Sequence, residues 1–478
     1  MSACAFAGKC GGCEYINLPY EEQLNLKNDH VVKLISQSLG KSSSDVCFND
    51  ILSCENPYYY RNKVHAAFAR QNGKIICGTY EASSHKIVEN FDCVLENRAA
   101  SKIISDIKAI LNKYKASVYD EKTGRGTFRR VLIRVSSLGE IMVVLVVADD
   151  NFVGKKNFIK ELTSKNPDIK TIVLNVNTRK DSMILGDRFR TEYGPGFIID
   201  DLFGLKFKIS PDSFFQINHE MCLKLYSEAI SKLDLKGNEK VLDAYCGTGT
   251  IGITVAKNLP KGQVTGVELN KSAVGDAINN ASKNGIKNIK FICADATEYI
   301  TAAAARKEKF DAVILDPPRS GTTPEFINAV SKLSPSKVVY ISCLPDTLAR
   351  DLKVFESVGY KTLSVTPCDM FSFTGHVETV CLLSQLSEAP KMEMRVKLTE
   401  FDLTEAEAKA TYSDIKEYVK EHTGLKVSSL YIAQVKQKYG IIERDCYNLP
   451  KSDDSRQPKC PEHKEKAIVE ALKHFKMI

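Results

Sequence analysis

The sequence predicts an α/β protein in which a doubly wound, mostly parallel sheet follows an α+β domain and precedes a small helical extension. Three observations predict this fold. From about residue 238, short apolar segments alternate with amphipathic ones, as strands and helices do around a parallel sheet. A glycine-rich turn follows the first of these segments. Before residue 205, polar and apolar residues alternate, and a hairpin turn stands at Asn72-Gly73, which is typical of antiparallel strands.

The predicted elements follow the chain in three domains: an α+β domain at 1–205, the doubly wound domain at 206–387 and the helical extension at 388–478. In the first domain we expect helices at 19–39 and 97–114, and strands at 130–134, 140–147 and 172–176. In the second, the predicted strands are 240–244, 263–267, 289–293, 311–316, 337–342, 361–366 and 377–384, with helices such as 271–284 and 323–331 between them. In the extension, helices are predicted at 404–422, from 428 or 429 to 439, and at 462–475.

Composition narrows the class of protein. With 478 residues, 43% of them hydrophobic and 26% charged, the chain has the make-up of a soluble globular protein. Its first residues lack the basic and apolar regions of a signal peptide, and no apolar run approaches the ~20 residues of a membrane span. We therefore expect a cytoplasmic protein without a membrane partner, and we expect a monomer. The formal charge of +7 fits a polyanionic partner.

A glycine loop follows the predicted strand 240–244. Gly247, Gly249 and Gly252 have the G-x-G-x-x-G spacing, which lets the backbone approach a ligand closely. Glu268 ends the next strand, where a carboxylate accepts hydrogen bonds from ribose hydroxyls. NAD enzymes and S-adenosylmethionine (SAM) methyltransferases both use this arrangement, so the loop alone favours neither cofactor.

The end of the fourth strand favours SAM. Asp316 is followed by Pro317 and Pro318, which make a stiff loop beside the cofactor, suited to holding a planar substrate. This D-P-P signature resembles that of SAM enzymes that methylate nucleobases, whereas a dehydrogenase has no use for it.

A cysteine follows the predicted strand 337–342. Cys343 precedes a helix start, so we expect its sulfur at the carboxyl edge of the sheet, where a helix N-terminus lowers the pKa of a thiol. Glu378 lies on the next apolar segment, and in adjacent strands both side chains would reach one cleft.

This pair suits methylation of a pyrimidine at C5. A thiolate that adds to C6 makes C5 nucleophilic toward the sulfonium methyl of SAM, and a base must then remove the C5 proton. Cys343 is therefore the predicted nucleophile and Glu378 the predicted base. The alternative is a buried structural cysteine with a surface glutamate.

From Cys4 to about Leu383, the chain resembles the RNA uracil-C5 methyltransferase family, which makes 5-methyluridine in tRNA or 23S ribosomal RNA. The resemblance implies SAM-dependent methylation of uracil C5 in RNA through a covalent adduct between Cys343 and C6. RNA cytosine-C5 methyltransferases carry a cysteine in the strand-four motif, where Pro318-Arg319 stands here, so uracil is favoured. By the same resemblance, the residues that contact SAM are Gln216, Tyr245, Glu268 and Asp316.

The sequence departs from many relatives at a few positions. Ser372 replaces a proline after Asp369-Met370-Phe371, and Leu344 replaces an asparagine after the nucleophile. Thr250 and Arg130 replace an asparagine and a histidine. These departures remove no chemical group that the mechanism requires.

Cys4, Cys10, Cys13 and Cys93 predict a metal site. Four cysteines bind either zinc or an iron–sulfur cluster, and the spacing alone favours zinc. The resemblance reverses this preference, because Cys-Gly-Gly-Cys with a distant fourth cysteine is similar to the [4Fe–4S] site of the family members that act on ribosomal RNA. Methyl transfer is redox-neutral, so a structural cluster is expected. The cluster also favours 23S rRNA over tRNA as the substrate, since the tRNA-specific relatives typically lack it.

RNA is the expected partner, and four arginines of the first domain are candidate phosphate contacts: Arg125, Arg129, Arg130 and Arg134. A solvated charged strand is the alternative reading of these residues. Two other functions stay open. One is a non-catalytic RNA-binding or ribosome assembly factor, which forms no covalent adduct. The other is a NAD-linked oxidoreductase, which leaves Cys343 and Glu378 unexplained.

Overall fold

The computed structural model describes residues 4–81, 84, 86–90, 92–150, 152, 154–180, 183–385, 412–425, 427–439 and 460–474. Residues 1–389 form one compact unit and residues 390–478 a second. The described helices are α1 (Tyr20–Leu39), α2 (Arg98–Lys113), α3 (Lys155–Lys165), α4 (His219–Leu233), α5 (Thr250–Lys257), α6 (Lys271–Lys283), α7 (Ala296–Ala305), α8 (Pro324–Leu333), α9 (Pro345–Ser357), α10 (Tyr412–Thr423), α11 (Ser429–Lys438) and α12 (Glu462–His474). The described strands are β1 (Cys47–Phe48), β2 (Lys63–Gln71), β3 (Lys74–Tyr80), β4 (Ile87–Val88), β5 (Phe128–Val135), β6 (Ile141–Val147), β7 (Ile169–Val176), β8 (Arg188–Tyr193), β9 (Ile198–Leu202), β10 (Leu205–Ile209), β11 (Lys240–Ala244), β12 (Gln263–Glu268), β13 (Ile289–Cys293), β14 (Ala312–Leu315), β15 (Lys337–Ser342), β16 (Tyr360–Cys368) and β17 (Glu378–Gln385).

The predicted doubly wound sheet is present and parallel-rich. Among the described residues it has eight strands in the order β1-β16-β17-β15-β14-β11-β12-β13. Strands β11 to β15 run parallel, while β17 lies antiparallel to both β15 and β16. The predicted strand 311–316 is shorter in the structure and ends at Leu315, just before Asp316 and the two prolines. A proline has no N–H to donate to a ladder, which accounts for the early end.

The N-terminal part of the chain contributes to this sheet. Strand β1 pairs in parallel with β16, and α1 buries Val31 and Ile35 in the same core as Leu352 of α9. The eight-stranded sheet therefore draws on residues from both sides of position 205. The amphipathic period of α1 predicts a buried face, but it does not say which sheet receives that face.

A second sheet precedes the first in the chain, and its described strands have the order β4-β3-β2-β5-β6-β7-β8. Its pairs are antiparallel except β6 with β7. The predicted hairpin turn joins β2 to β3, with φ of 50° at Asn72 and 77° at Gly73. Strand β6 is buried on both faces: Val143 belongs to the core under α2, and Met142 to the core shared with α4.

Several elements of this region were not predicted. Helix α3 buries only Phe158 and Leu162, so its apolar pattern is too sparse to indicate a helix. Strand β8 is mostly exposed, and β9 and β10 are five-residue strands that form a separate hairpin. The alternation in β10 was an available signal, since Leu205, Phe207 and Ile209 are buried and the lysines between them are not.

The second unit has its own small core. Its described helices α10, α11 and α12 bury Ile415, Ile432 and Ile468 against one another. The predicted helices at 429–439 and 462–475 are confirmed. Of the predicted helix at 404–422, residues 404–411 lie outside the described residues, and the remainder is helical. Along the described residues, no helix is both long enough and apolar enough to cross a membrane.

Candidate active site

The predicted nucleophile and base meet at the end of two neighbouring strands. In the antiparallel pair of β15 and β17, Ser342 lies opposite Thr379. The residues one step further along these strands are Cys343 and Glu378, so both belong to the same sheet edge. Cys343 is half-buried, whereas only 3% of Glu378 is exposed. The cysteine is therefore partly accessible to solvent, while the carboxyl group is shielded from it.

The environment of Cys343 corrects one expectation. Burial, followed by the charges of Glu378 and Asp316, raises the pKa of the Cys343 thiol to about 11. Arg319 opposes this rise only in part. The predicted lowering of the pKa is wrong for this structure, because burial and the two carboxyl groups outweigh the helix N-terminus that begins at Pro345. The ligand-free protein thus holds Cys343 as a thiol at neutral pH.

The two carboxyl groups beside the thiol also titrate far from their usual range. Burial, followed by the charge of Asp316, raises the pKa of Glu378 to about 8. Burial alone raises the pKa of Asp316 to about 7. A carboxyl group poised near neutral pH is what general acid–base chemistry requires.

Three of the four predicted SAM contacts line one cleft. The side chains of Gln216, Tyr245 and Asp316 surround it together with the backbone of the glycine loop at Gly247 and with Thr250. Tyr245 follows β11 with a φ of 64°, and its hydroxyl lies 3.0 Å from Oγ1 of Thr322, which fixes the ring.

The fourth predicted contact, Glu268, lies beside this cleft rather than in its lining. Its two carboxylate oxygens accept hydrogen bonds from the backbone N–H groups of Gly247 (3.1 Å) and Asn270 (2.7 Å). In this arrangement Glu268 braces the glycine loop.

The glycine loop has no room for side chains where it meets the sheet. Gly249 has a φ of 81°, and a Cβ there would lie 2.9 Å from the Phe291 ring. A Cβ on Gly252 would lie 2.6 Å from Oδ2 of Asp243. These two glycines let α5 start directly above β11, as a nucleotide-binding turn requires.

The sequence analysis assigned no role to two side chains that the structure places at the site. Arg319 is exposed, and its positive charge partly offsets the rise in the pKa of Cys343 and of Glu378. Its place directly after the D-P-P motif was the available signal. Phe214 is 69% exposed at the cleft, where a bare aromatic ring can stack on a planar group. It stands two positions before Gln216.

The four predicted metal ligands share one neighbourhood. Cys4, Cys13 and Cys93 pack against the apolar cluster of Ile16, Leu95 and Phe373, and Cys10 is close enough to affect the Cys13 thiol. Burial, then the neighbouring Cys93, raises the pKa of Cys13 to about 12. Thiol donors suit zinc or iron–sulfur chemistry. Within the described ranges, however, no group of three or more His, Cys, Asp or Glu side chains is arranged to hold a metal ion.

Two of the four candidate phosphate-binding arginines have other partners. Arg134 is buried and donates to the carbonyl of Ser213. Arg129 is also buried, and it donates to the carbonyl of Asn177 and to the carboxylate of Glu121. Both are structural, so the hypothesis of phosphate contacts is wrong for them. Arg125 is exposed, and Arg130 is half-buried.

A larger cavity, of about 560 Å³, lies away from this chemistry. It is lined by Tyr59, Arg98 and Lys102, among others. Of the predicted residues it contains only Cys93, so the smaller cleft at the sheet edge is the better candidate for the active site.

Comparison with known proteins finds similar RNA methyltransferases. A model of the family described as tRNA (uracil-5-)-methyltransferase matches residues 20–386. The chain is 39% identical over 389 residues to an uncharacterized RNA methyltransferase of Clostridium tetani, covering 81% of this chain and 84% of that protein. It is 38% identical over 386 residues to another from Clostridium acetobutylicum, covering 80% of this chain and 84% of that protein.

A solved structure resembles the larger unit. It is the tRNA (uracil-54, C5)-methyltransferase of Pyrococcus abyssi in complex with S-adenosyl-L-homocysteine. The TM-score is 0.63 and the identity 28%, over 78% of this chain and 85% of that one.

Proposed function

This chain belongs to the tRNA (uracil-5-)-methyltransferase family, and on that premise we propose that Cys343 and Glu378 methylate uracil C5 through a covalent RNA adduct. Family membership makes the chain a SAM-dependent RNA methyltransferase and sets aside the NAD-linked oxidoreductase. One observation carries the mechanistic proposal: the thiol and the buried carboxyl group occupy adjacent strand ends beside Asp316. A structural cysteine with a surface glutamate would not share a sheet edge in this way.

The chemistry follows from these two side chains. The Cys343 thiol first loses its proton to solvent. The thiolate sulfur then adds to C6 of the target uracil, and the electron pair of the C5–C6 double bond moves toward C5 and the O4 carbonyl. SAM, when bound, supplies the methyl group that C5 takes up. The Glu378 carboxylate accepts the C5 proton, and the electrons left on C5 re-form the double bond while Cys343 departs as a thiolate.

The cleft beside this pair is the proposed SAM site. Gln216, Tyr245 and Asp316 line it and would hold the cofactor, and Gly247 and Thr248 of the glycine loop line the same space. Glu268 would act through the loop that it braces. Arg319 lies near the thiol and is placed to offset its negative neighbours when the thiolate forms.

Two variants test the mechanism. Cys343→Ala is expected to abolish methylation while SAM binding, measured by calorimetry, stays within about twofold, because the alanine removes only the nucleophile. Glu378→Gln is expected to accumulate a covalent protein–RNA complex that survives denaturing electrophoresis, because the adduct forms but cannot lose its proton. Methylation that persists in the alanine variant would refute the covalent route. Absence of a trapped complex in the glutamine variant would remove Glu378 from the role of base.

For the RNA substrate we propose 23S rRNA. The similarity of the four-cysteine pattern to the rRNA-modifying members supports it. A tRNA is the second candidate, because the matching family and the similar solved structure both bear tRNA methyltransferase names. Mass spectrometry of 23S rRNA and tRNA, from cells with and without the gene, tests both. Loss of 5-methyluridine from 23S rRNA alone would support the first candidate, and loss from tRNA alone would replace it with the second.

We further propose that Cys4, Cys10, Cys13 and Cys93 hold a [4Fe–4S] cluster, with zinc as the alternative. Their shared neighbourhood supports this proposal. Metal analysis of protein purified without oxygen should find about four iron atoms per chain and a broad absorption near 400 nm. About one zinc per chain would favour the alternative, and neither metal would overturn both. Monomeric state and cytoplasmic location remain predictions, of which light scattering tests the first.

A further inference from the structure

The loop that leads to Glu378 is hydrogen-bonded to a segment near the N-terminus of the chain. This base loop, residues 369–377, connects β16 to β17. Cys368 pairs with Glu378 across these strands, so Asp369 is the first loop residue beyond the base. Asp369 is therefore adjacent in the chain to the residue that lies opposite Glu378 in the ladder.

A buried ion pair stands at the centre of this contact. Lys27 of α1 donates to the Asp369 carboxylate and, at 3.1 Å, to the carbonyl of Phe371. The lysine side chain is 2% exposed and the aspartate 1%. Tyr20 Oη donates to Asp369 at 2.7 Å, and Ser372 Oγ does so at 2.6 Å. The carboxylate is thus fixed by three donors in a place without water screening.

Residues that precede Lys27 in the chain bind the remainder of the base loop. The N–H of Phe373 donates to Gln23 Oε1 at 3.0 Å, and the N–H of Gly375 donates to Glu14 at 2.9 Å. The N–H of Tyr15 donates to the carbonyl of Phe373 at 3.0 Å. Residues 14–27 therefore contact the loop from Asp369 to Gly375, and we call them the N-terminal clamp.

We propose that the N-terminal clamp positions Glu378 for proton abstraction, with Lys27 and Asp369 as positioning residues. This inference rests on the proposed role of Glu378 as the base. An ion pair needed only for stability would require no further hydrogen bonds spread along a loop that ends at a catalytic group. The clamp also reaches the four-cysteine neighbourhood, because its Ile16 belongs to the apolar cluster against which Cys13 and Cys93 pack.

The test separates the two chemical steps. Lys27→Met combined with Asp369→Asn removes the charges together, since removing one partner alone leaves an uncompensated buried charge. An RNA with 5-fluorouridine at the target position reports adduct formation independently of the base, because fluorine at C5 cannot leave as a proton. Ordinary RNA reports complete turnover, which needs Glu378. The matched control is Lys361→Met with Asp45→Asn, an exposed ion pair at 2.9 Å that also involves β16.

The clamp variant is expected to lose turnover of ordinary RNA by about tenfold or more, because sub-ångström placement of the base decides this step. Its rate of adduct formation with the fluorinated RNA should stay within about threefold of the unaltered protein, and covalent complex with ordinary RNA should accumulate. The control variant should change neither rate. Equal losses on both RNAs, or no loss on either, would overturn the inference.

Two further variants make the outcome decisive. If the double variant does not fold, Ser372→Ala serves instead, because it removes one hydrogen bond to Asp369 and leaves the ion pair. It should show a smaller split, meaning a smaller excess of the loss on ordinary RNA over the loss on fluorinated RNA. Glu378→Gln serves as the reference for trapped complex. If that reference traps no RNA, the proposed function itself fails. If it does trap RNA while neither clamp variant shows the split, only the inference about the clamp fails.

Discussion

At the residue scale, the active site brings a thiol and two carboxyl groups together near one exposed arginine. Cys343, Glu378 and Asp316 each favour the protonated form, and Arg319 is placed to oppose this for the thiol and for Glu378. In the ligand-free protein, Cys343 is therefore mainly in its less reactive thiol form. A cysteine elsewhere at a helix start would be more reactive.

The reactivity of Cys343 should rise steeply with pH. With a pKa of about 11, the thiolate is the minor form at pH 7, and its fraction grows about tenfold for each pH unit up to pH 10. The measurement is the rate of Cys343 alkylation by iodoacetamide without SAM, followed by mass spectrometry of its peptide. Arg319→Gln should lower the rate at pH 8, because it removes the cation that favours the thiolate, while the exposed Arg306→Gln should not. A rate that levels off below pH 8 would contradict the raised pKa.

Ionisation of Glu378 should lower the free energy of unfolding as the pH rises. Its pKa is about 8 in the folded protein against 4.5 for an ordinary glutamate, so folding requires proton uptake between these values. The contribution of the protonated Glu378 to the free energy of unfolding is fully present below pH 4.5. It falls by about 1 kcal/mol per pH unit and is lost by pH 8. Glu378→Gln should therefore gain in melting temperature over the unaltered protein from pH 5 to pH 8. Calorimetry at several pH values checks this, with the exposed Glu298→Gln as the control. A pH-independent difference would speak against the shift.

At the element scale, the site depends on where strands end and on the loops that follow them. Strands β14 and β15 run in parallel, so Asp316 and Cys343 emerge at the same edge of the sheet. The antiparallel insertion of β17 next to β15 brings Glu378 to this edge at the start of a strand rather than at its end.

The glycine loop offers an element-scale prediction. Gly249→Ala adds a Cβ 2.9 Å from Phe291 at a φ of 81°, so the substitution should destabilise the protein by about 1–2 kcal/mol and weaken SAM binding by about tenfold or more. Gly275→Ala in α6 is the matched control. Its Cβ would meet nothing within 4 Å, so it should stabilise the protein by about 0.5–1 kcal/mol and leave SAM binding unchanged. Thermal unfolding and calorimetric titration with SAM measure both effects, and equal effects of the two substitutions would contradict the steric argument.

At the scale of the whole molecule, all predicted site residues belong to the larger unit. Residues 1–389 contain both sheets and every catalytic, SAM and cysteine candidate. The cores of the two sheets join, since Met142 of β6 and Val241 of β11 lie in one apolar cluster. Residues 390–478 bury their described apolar side chains among themselves.

A chain truncated after Ala389 should therefore fold and retain the catalytic chemistry. Its covalent trapping of fluorinated RNA under single-turnover conditions should match the full chain within about threefold, because no proposed catalytic group is removed. The truncated chain should unfold in one transition near the main transition of the full chain. Loss of trapping in a truncated chain that still unfolds cooperatively would assign the extension a part in RNA binding.

The sequence by itself determined the elements around the cofactor and the identity of the chemical groups. Strands β11 to β17, the glycine loop and the Cys343–Glu378 pair are readable because apolar periodicity and strand-end chemistry are local properties. Strand β1 was missed because it has only two residues, and helix α3 because it buries only Phe158 and Leu162. Strand β10 was missed although its apolar and polar residues alternate.

Only the tertiary structure decided how those groups are tuned and supported. The pKa of Cys343 depends on burial and on carboxyl groups far away in sequence, so the helix-start rule predicted the wrong direction. Arg129 and Arg134 looked like phosphate contacts until burial gave them backbone partners. The pairing of Lys27 with Asp369 joins positions 342 residues apart. Electrostatic and packing energies depend on distance in space, and a sequence gives only distance along the chain.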